Sequence, residues 1–205
     1  MKKLKLKKRS RKRLAPWRAG LREPSRFVTG AESDQTTSGD IQNRLSVCFT
    51  GHRYIATADI PVVCKRLDTL LELCYERGYR CFLCGGALGF DMLAGERVSA
   101  LQSRHPDARL IMVIPCSDQT QRWPGFAVER YERLLYAADE IRVLAPKYYD
   151  GCMQVRNRYL VDRSALCICY FRHQKGGTAS TVAYALERQL PVLNVAMDNV
   201  CAAFS

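Results

Sequence analysis

No stretch of the 205-residue sequence approaches the roughly 18–20 consecutive apolar residues of a membrane-spanning helix. The positively charged start is not followed by the apolar segment of roughly 7–15 residues that a secretory signal carries. Leu4, Leu6 and Leu14 stand isolated among charges. Export and membrane insertion are therefore not expected. Acids are almost missing from the first 26 positions, where twelve Lys/Arg face a single Glu23. The rest of the chain holds twenty Lys/Arg and nineteen Asp/Glu. The formal charge of +12 thus divides into a tail at +11 and a remainder at +1. Composition gives no support to a reading of the whole chain as a basic nucleic-acid binder. No internal repeat at a fixed period is present, and no second domain is indicated.

Residues 1–42 read as a basic tail and linker, disordered when free, because like charges at this density repel. The stretch 29–40 (TGAESDQTTSGD) is polar and turn-rich. The tail is either an arm for nucleic acid or an anionic surface, acting through counterion release over residues 1–26, or a solvated extension from an upstream start. The folded domain is expected over 43–205. A hydrophobic fraction of 47% is enough for a core. Of the ten cysteines, Cys48, Cys81, Cys84, Cys167 and Cys169 sit inside apolar runs, where cysteine behaves as a small hydrophobe. Cys81 and Cys84 have C-x-x-C spacing. In an extended strand that spacing sends the two thiols to opposite faces, so no metal site is expected. Free thiols imply a reducing, cytoplasmic setting.

From residue 45 short apolar runs alternate with segments of helical period. The expected strands are 45–50, 79–84, 108–116, 140–145, 166–171 and 191–196. The expected helices are 57–77, 91–103, 127–138, 152–165 and 178–189. In the first helix Ile60, Val63, Leu67, Leu70, Leu71 and Cys74 form one stripe, with Thr57 as N-cap and Gly78 ending the helix. Strands that are apolar on both faces and alternate with helices predict an α/β fold: a doubly wound, mainly parallel, Rossmann-like sheet of about six strands. A (β/α)₈ barrel needs two more units than the chain supplies.

Ligands of such sheets bind at the carboxyl ends of the strands, and three glycine clusters fall there. They are Thr50-Gly51-His52-Arg53, the segment Gly85-Gly86-Ala87-Leu88-Gly89-Phe90-Asp91, and Lys175-Gly176-Gly177-Thr178-Ala179-Ser180-Thr181. None is a Walker loop or a Gly-x-Gly-x-x-Gly fingerprint. Amides of a first helical turn lack internal partners and carry the positive end of the dipole, so three such loops on one edge predict a shared anionic site. Arg53 can pair with a phosphate. His52 either donates to phosphate or caps the turn. Asp91 is either a first-turn acid favoured by the dipole or an acceptor for a ribose hydroxyl. Thr178, Ser180 and Thr181 either bind phosphate oxygens or cap the last helix. Arg156, beside Asn157, faces either the ligand edge or solvent. The strip Gln121-Arg122-Trp123-Pro124 either lids a base or packs half-buried.

The set T-G-H-R after the first strand, G-G-A-x-G-x-D after the second, M-x-x-R-N on the fourth helix (Met153, Arg156, Asn157) and G-G-T-x-S-T after the fifth strand resembles the SLOG superfamily. That superfamily joins the cytokinin-activating LOG proteins, the DNA-processing protein A family and small bacterial proteins, and the chain is most similar to the last group. The resemblance covers about residues 45–198. It implies a Rossmann-like fold binding a nucleotide or nucleotide-derived ligand in a sensing or regulatory role, with no required cofactor. The LOG branch implies an N-glycosidic phosphoribohydrolase with the motif P-G-G-x-G-T-x-x-E. Here Lys175 stands at the proline, Ala179 and Ser180 replace Gly-Thr, and Ala183 stands at the glutamate. Any hydrolysis would need another acid, for which Asp91 is the candidate. The DNA-processing branch implies single-stranded DNA binding, to which the basic tail would contribute charge. A homodimer is the default assembly.

Overall fold

The computed structural model describes Phe27–Thr29 as backbone and residues 45–198 in full. Residues 1–26, with the arm expected there, and the domain start expected at Asn43 lie outside the described residues. The strands are β1 (Phe27–Thr29), β2 (Ser46–Gly51), β3 (Cys81–Cys84), β4 (Arg109–Ile114), β5 (Glu140–Val143), β6 (Leu166–Tyr170) and β7 (Val192–Asn194). The helices are α1 (Ile60–Glu76), α2 (Phe90–Gln102), α3 (Gly125–Ala137), α4 (Cys152–Asp162) and α5 (Gly177–Glu187).

All strand pairings are parallel, in the order β1-β5-β4-β3-β2-β6-β7. The six expected strands are all present. A seventh, β1, pairs Phe27 with Ile141 and Thr29 with Val143 at the sheet edge, inside the segment expected to be tail and linker. Three residues carry no period that sequence can register, so this strand was not legible.

The two sides of the sheet build separate cores. Val47, Phe49, Phe82, Cys84 and Leu110 meet α1, α2 and α3 on one face. Cys48, Cys81, Leu83, Ile111 and Cys167 meet α4 and α5 on the other. Cys81 and Cys84 thus point to opposite faces, as alternation requires. The nine described cysteines are free thiols. Among the described residues no cluster of three or more His, Cys, Asp or Glu could hold a metal ion, and no helix is long and apolar enough to cross a membrane.

From β2 onward, chain direction across the sheet reverses once. From β2 the chain winds outward through β3, β4 and β5 with α1–α3 on one face. It then returns through α4 to β6 on the other side of β2. The strands β2 and β6 flank this reversal, and in open α/β sheets the crevice outside their carboxyl ends is where ligands bind.

The stripe of α1 buries Val63, Leu67, Leu70, Leu71 and Cys74, whereas Ile60 is 38% exposed. Thr57 does not cap α1. It opens a 3₁₀ turn, Thr57–Asp59, and Asp59 takes the N-cap position with Pro61 behind it. Proline suits the first helical turn because its missing N–H would be unpaired there in any case. Gly78 follows the helix end at φ +90°, a conformation that favours glycine. Leu70 is fully buried in the α1 face of the core. Leu70→Ala should cost about 2–5 kcal/mol in urea-melt stability, without changing the free-thiol count.

Candidate functional site at the sheet reversal

A cleft of about 300 Å³ lies over the carboxyl ends of the strands. Its wall on the β2 side is Thr50, Gly51, His52 and Arg53; on the β6 side it is Lys175, Gly176, Gly177 and Thr178. Ala87 and Leu88 come from the β3–α2 loop and Asp91 from the first turn of α2, Gln119 and Trp123 from the β4–α3 loop, and Met153, Arg156 and Asn157 from α4. Segments distant in sequence therefore meet at one place.

Arg156 holds them there. It is only 4% exposed. Its Nη1 donates to the Gly85 carbonyl at 2.5 Å and its Nε to Asn157 Oδ1 at 2.8 Å. Asn157 Nδ2 donates to Thr181 Oγ1 at 2.8 Å, and Thr181 Oγ1 donates to the Gly177 carbonyl at 2.7 Å. The second and third glycine loops are thus tied through α4. Gly85 is required for the approach: a Cβ there would fall 1.8 Å from Arg156 Nη1.

Asp91 completes the arrangement. Its Oδ2 lies 3.8 Å from Arg156 Nη1, and the carboxyl is 5% exposed. Burial pushes its pKa up to about 6, against the opposing pull of Arg156 and a hydrogen bond from the Ala87 amide. The start of α2 is also occupied from within the chain, because the Phe90 amide donates to the His52 carbonyl at 3.2 Å. Gly89, at φ +88°, has no room for a side chain, since a Cβ would meet the Arg53 carbonyl at 2.3 Å. The second glycine loop therefore packs against the first. Gly85, Gly86 and Gly89 lie behind the cleft wall and do not line it.

The third loop is different. A Cβ at Gly176 or Gly177 would meet nothing within 4 Å. Both glycines open onto the cleft at the start of α5, where first-turn amides lack intrahelical partners. Thr178 is buried beside them; Thr181 is taken up by Asn157, and the exposed Ser180 hydroxyl donates back to the Gly176 carbonyl at 3.3 Å. His52 Nε2 accepts the Arg172 and His173 amides at 3.0 and 3.1 Å. That bonding needs the ring nitrogen unprotonated, and burial followed by His173 holds the His52 pKa below its usual value. His52 thus acts on the β6 loop as a turn cap. Trp123 is half-buried and lies edge-on to Tyr131, ring centroids 5.5 Å apart. Ala183, where a hydrolase of the LOG type would carry its glutamate, is exposed on α5.

Gln119 is the residue that sequence reasoning missed. It is 7% exposed, it lines the cleft, and its Nε2 has no hydrogen-bond partner among the described residues. Burial raises the pKa of the nearby Tyr131 hydroxyl, and the Gln119 amide beside it pulls the other way. A single glutamine after a strand carries no motif that could have flagged it.

The fold is a Rossmann-like α/β domain with a cleft at the sheet reversal. The model of the YspA SLOG family (YpsA) matches residues 49–199, and the chain belongs to that family. A UPF0398 protein of Halalkalibacterium halodurans is 28% identical over 157 residues, covering 75% of this chain and 80% of that protein. The SPbeta prophage-derived protein YoqJ of Bacillus subtilis is 31% identical over 147 residues, covering 63% and 85%. Among solved structures, DNA processing protein A of Helicobacter pylori, described for its single-stranded DNA binding mode, superposes with a TM-score of 0.54 at 22% identity, covering 79% of this chain and 74% of that one. The Streptococcus pneumoniae DNA processing protein A gives 0.54 at 19%, covering 80% and 56%. At these identities the structural likeness establishes the fold.

Asp91 gives a pH test. Its folded pKa, about 6, lies above the ordinary carboxylate value of about 4. The folded state thus binds the proton more tightly than the unfolded one, and the Asp91 contribution is largest below pH 4. It is lost as pH rises from about 4 to 6. Asp91→Asn should remove that loss. Urea melts from pH 4 to 7 should show the variant gaining on wild type with rising pH, by up to about 2–3 kcal/mol.

Proposed function

We propose that the cleft binds a nucleotide or nucleotide-derived small molecule, with its phosphate between the Gly51–Arg53 loop and the start of α5, in a sensing or regulatory role. The observation that carries this reading is the pair Gly176 and Gly177. They have no neighbour within 4 Å at the Cβ position, they begin an eleven-residue helix, and they face the cleft. Gly176 stands at φ +92°, which favours glycine by itself; at Gly177 nothing in the packing demands glycine, whereas a phosphate seated on first-turn amides does. Lys175 and Arg53 add positive charge at the same mouth.

The size of the cleft, about 300 Å³, fits one small ligand at the lower end of the usual range. A single strand of DNA would need a basic groove with stacking aromatics, and outside residues 1–26 the chain is nearly neutral. Binding without turnover follows from two features. Ala183 offers no carboxylate. Asp91 is held by Arg156 and the Ala87 amide, so its carboxyl serves the wall and not a glycosidic bond. A binding role in the cytoplasm accords with the nine free thiols among the described residues, which reducing conditions preserve.

Gly177→Val tests the reading cleanly, because the side chain enters open space. Its melting temperature should stay within about 2 °C of wild type, since exposed substitutions away from packed features change stability little. Calorimetric affinity for inorganic phosphate and for nucleoside monophosphates should fall about tenfold or more. Incubation of wild type with nucleoside monophosphates should release no free base. Unchanged phosphate affinity in Gly177→Val would remove α5 from the site.

A further inference from the structure

Protonation of His52 decides a backbone contact on the cleft wall. Its Nε2 accepts the Arg172 amide at 3.0 Å and the His173 amide at 3.1 Å. Two N–H groups converging on one ring nitrogen require a lone pair there, so the ring proton sits on Nδ1. The segment that carries these amides leads to the cleft. Phe171 before it is clamped on both sides by Asn194 of β7, and Lys175 and Gly176 after it line the mouth. The ring stands on backbone held at two points. The His52 amide donates to the Tyr170 carbonyl at 3.3 Å, and the His52 carbonyl accepts the Phe90 amide at 3.2 Å. A proton arriving on Nε2 therefore sets donor against donor twice. The ring is anchored, so the run from Arg172 to Lys175, exposed throughout, is what yields.

The groups around the ring offer an imidazolium no free carboxylate. Asp59, from the 3₁₀ turn, is matched by Arg172 at 3.0 Å and by the Tyr170 hydroxyl at 2.9 Å. Asp91, also lining the cleft, is matched by Arg156 and the Ala87 amide. The remaining neighbours are His173, ring centroids 5.2 Å away, and Arg53 and Lys175 at the mouth; none of them attracts a proton to His52. Arg172 stays tethered through Asp59, so release of the amides is felt towards Lys175.

We propose that His52 is a proton-operated latch on the cleft: neutral, it holds the β6–α5 loop where Lys175 and the first turn of α5 meet an anion, and protonated, it lets that loop go. This rests on the phosphate reading for what the loop presents, and adds its regulation. The lowered pKa of His52 keeps the latch closed at neutrality and opens it in acid. The sign is the opposite of what charge alone dictates. An imidazolium at His52 and a neutral carboxyl at Asp91 would each draw an anion in more strongly as pH falls; an opened latch weakens it.

The test uses the full chain and inorganic sulfate, whose charge is constant over the range, at about pH 7.5 and about pH 5, either side of the ordinary imidazole value. Amide exchange followed by NMR reads the latch, and calorimetry reads the cleft. In wild type, protection of the Arg172 and His173 amides, corrected for the intrinsic effect of pH, should fall about tenfold or more at low pH. The Val195 amide, bonded to the Cys169 carbonyl, should keep its protection. Sulfate affinity should fall about fivefold or more. His52→Gln supplies a carbonyl acceptor that does not titrate. Its two amides should be equally protected at both pH values, and its sulfate affinity should rise toward low pH. His52→Ala should leave both amides unprotected throughout. Wild-type protection that is unchanged with pH, or that falls equally in His52→Gln, would overturn the latch while sulfate binding upholds the cleft. Wild-type sulfate affinity that rises toward low pH would overturn the coupling of latch to cleft. Failure of wild type to bind sulfate at either pH would overturn the phosphate reading, with the exchange still deciding the latch.

Discussion

A buried guanidinium is costly to remove from water unless its donors are matched, and the matching of Arg156 organises the whole ligand edge of this protein. Its donors reach the Gly85 carbonyl and Asn157, and Asp91 supplies the opposite charge. Through Asn157 and Thr181 the same network reaches the Gly177 carbonyl. The strand order alone brings the loops after β2, β3 and β6 to one edge. The arginine fixes how two of them stand relative to each other, and the His52 carbonyl, receiving the Phe90 amide, ties in the remaining one. The cleft is what remains between them.

This arrangement divides the glycines by purpose. Gly85 and Gly89 are consumed inside the protein, one making room for Arg156 and the other for the Arg53 backbone. Gly176 serves the positive-φ turn before α5, and Gly177 has nothing opposite its missing Cβ and faces the cleft. A phosphate-binding edge and a wall that supports it can thus carry similar glycine-rich signatures. The difference lies in what stands opposite the missing Cβ.

The fold was legible because its signals are repeated. Six apolar runs and five periodic segments agree with one another, and only a parallel sheet covered on both faces accommodates them. The short edge strand Phe27–Thr29 escaped because its assignment comes from pairing with Ile141–Val143, a non-local fact. The site was legible at the level of loops and less so at the level of atoms. Thr50–Arg53 and Gly176–Thr178 line the cleft with Arg156, Asn157 and Asp91. Gly85, Gly86 and Gly89 stand behind it, and Ser180 and Thr181 turn back onto their own helix. Whether His52 faces a ligand or a backbone turn depends on two amides more than a hundred residues away. Gln119 was silent because burial and the lack of a partner are properties of the folded state.

The central claim is that one arginine couples loops far apart in sequence into a single site. Amide hydrogen exchange on Arg156→Lys tests it most directly, because lysine keeps the charge but lacks the planar fork that serves Gly85 and Asn157 together. The account predicts faster exchange at both Gly85–Asp91 and Gly176–Thr181, with β4 and α1 unchanged. Faster exchange confined to α4, with both glycine loops as protected as in wild type, would contradict it.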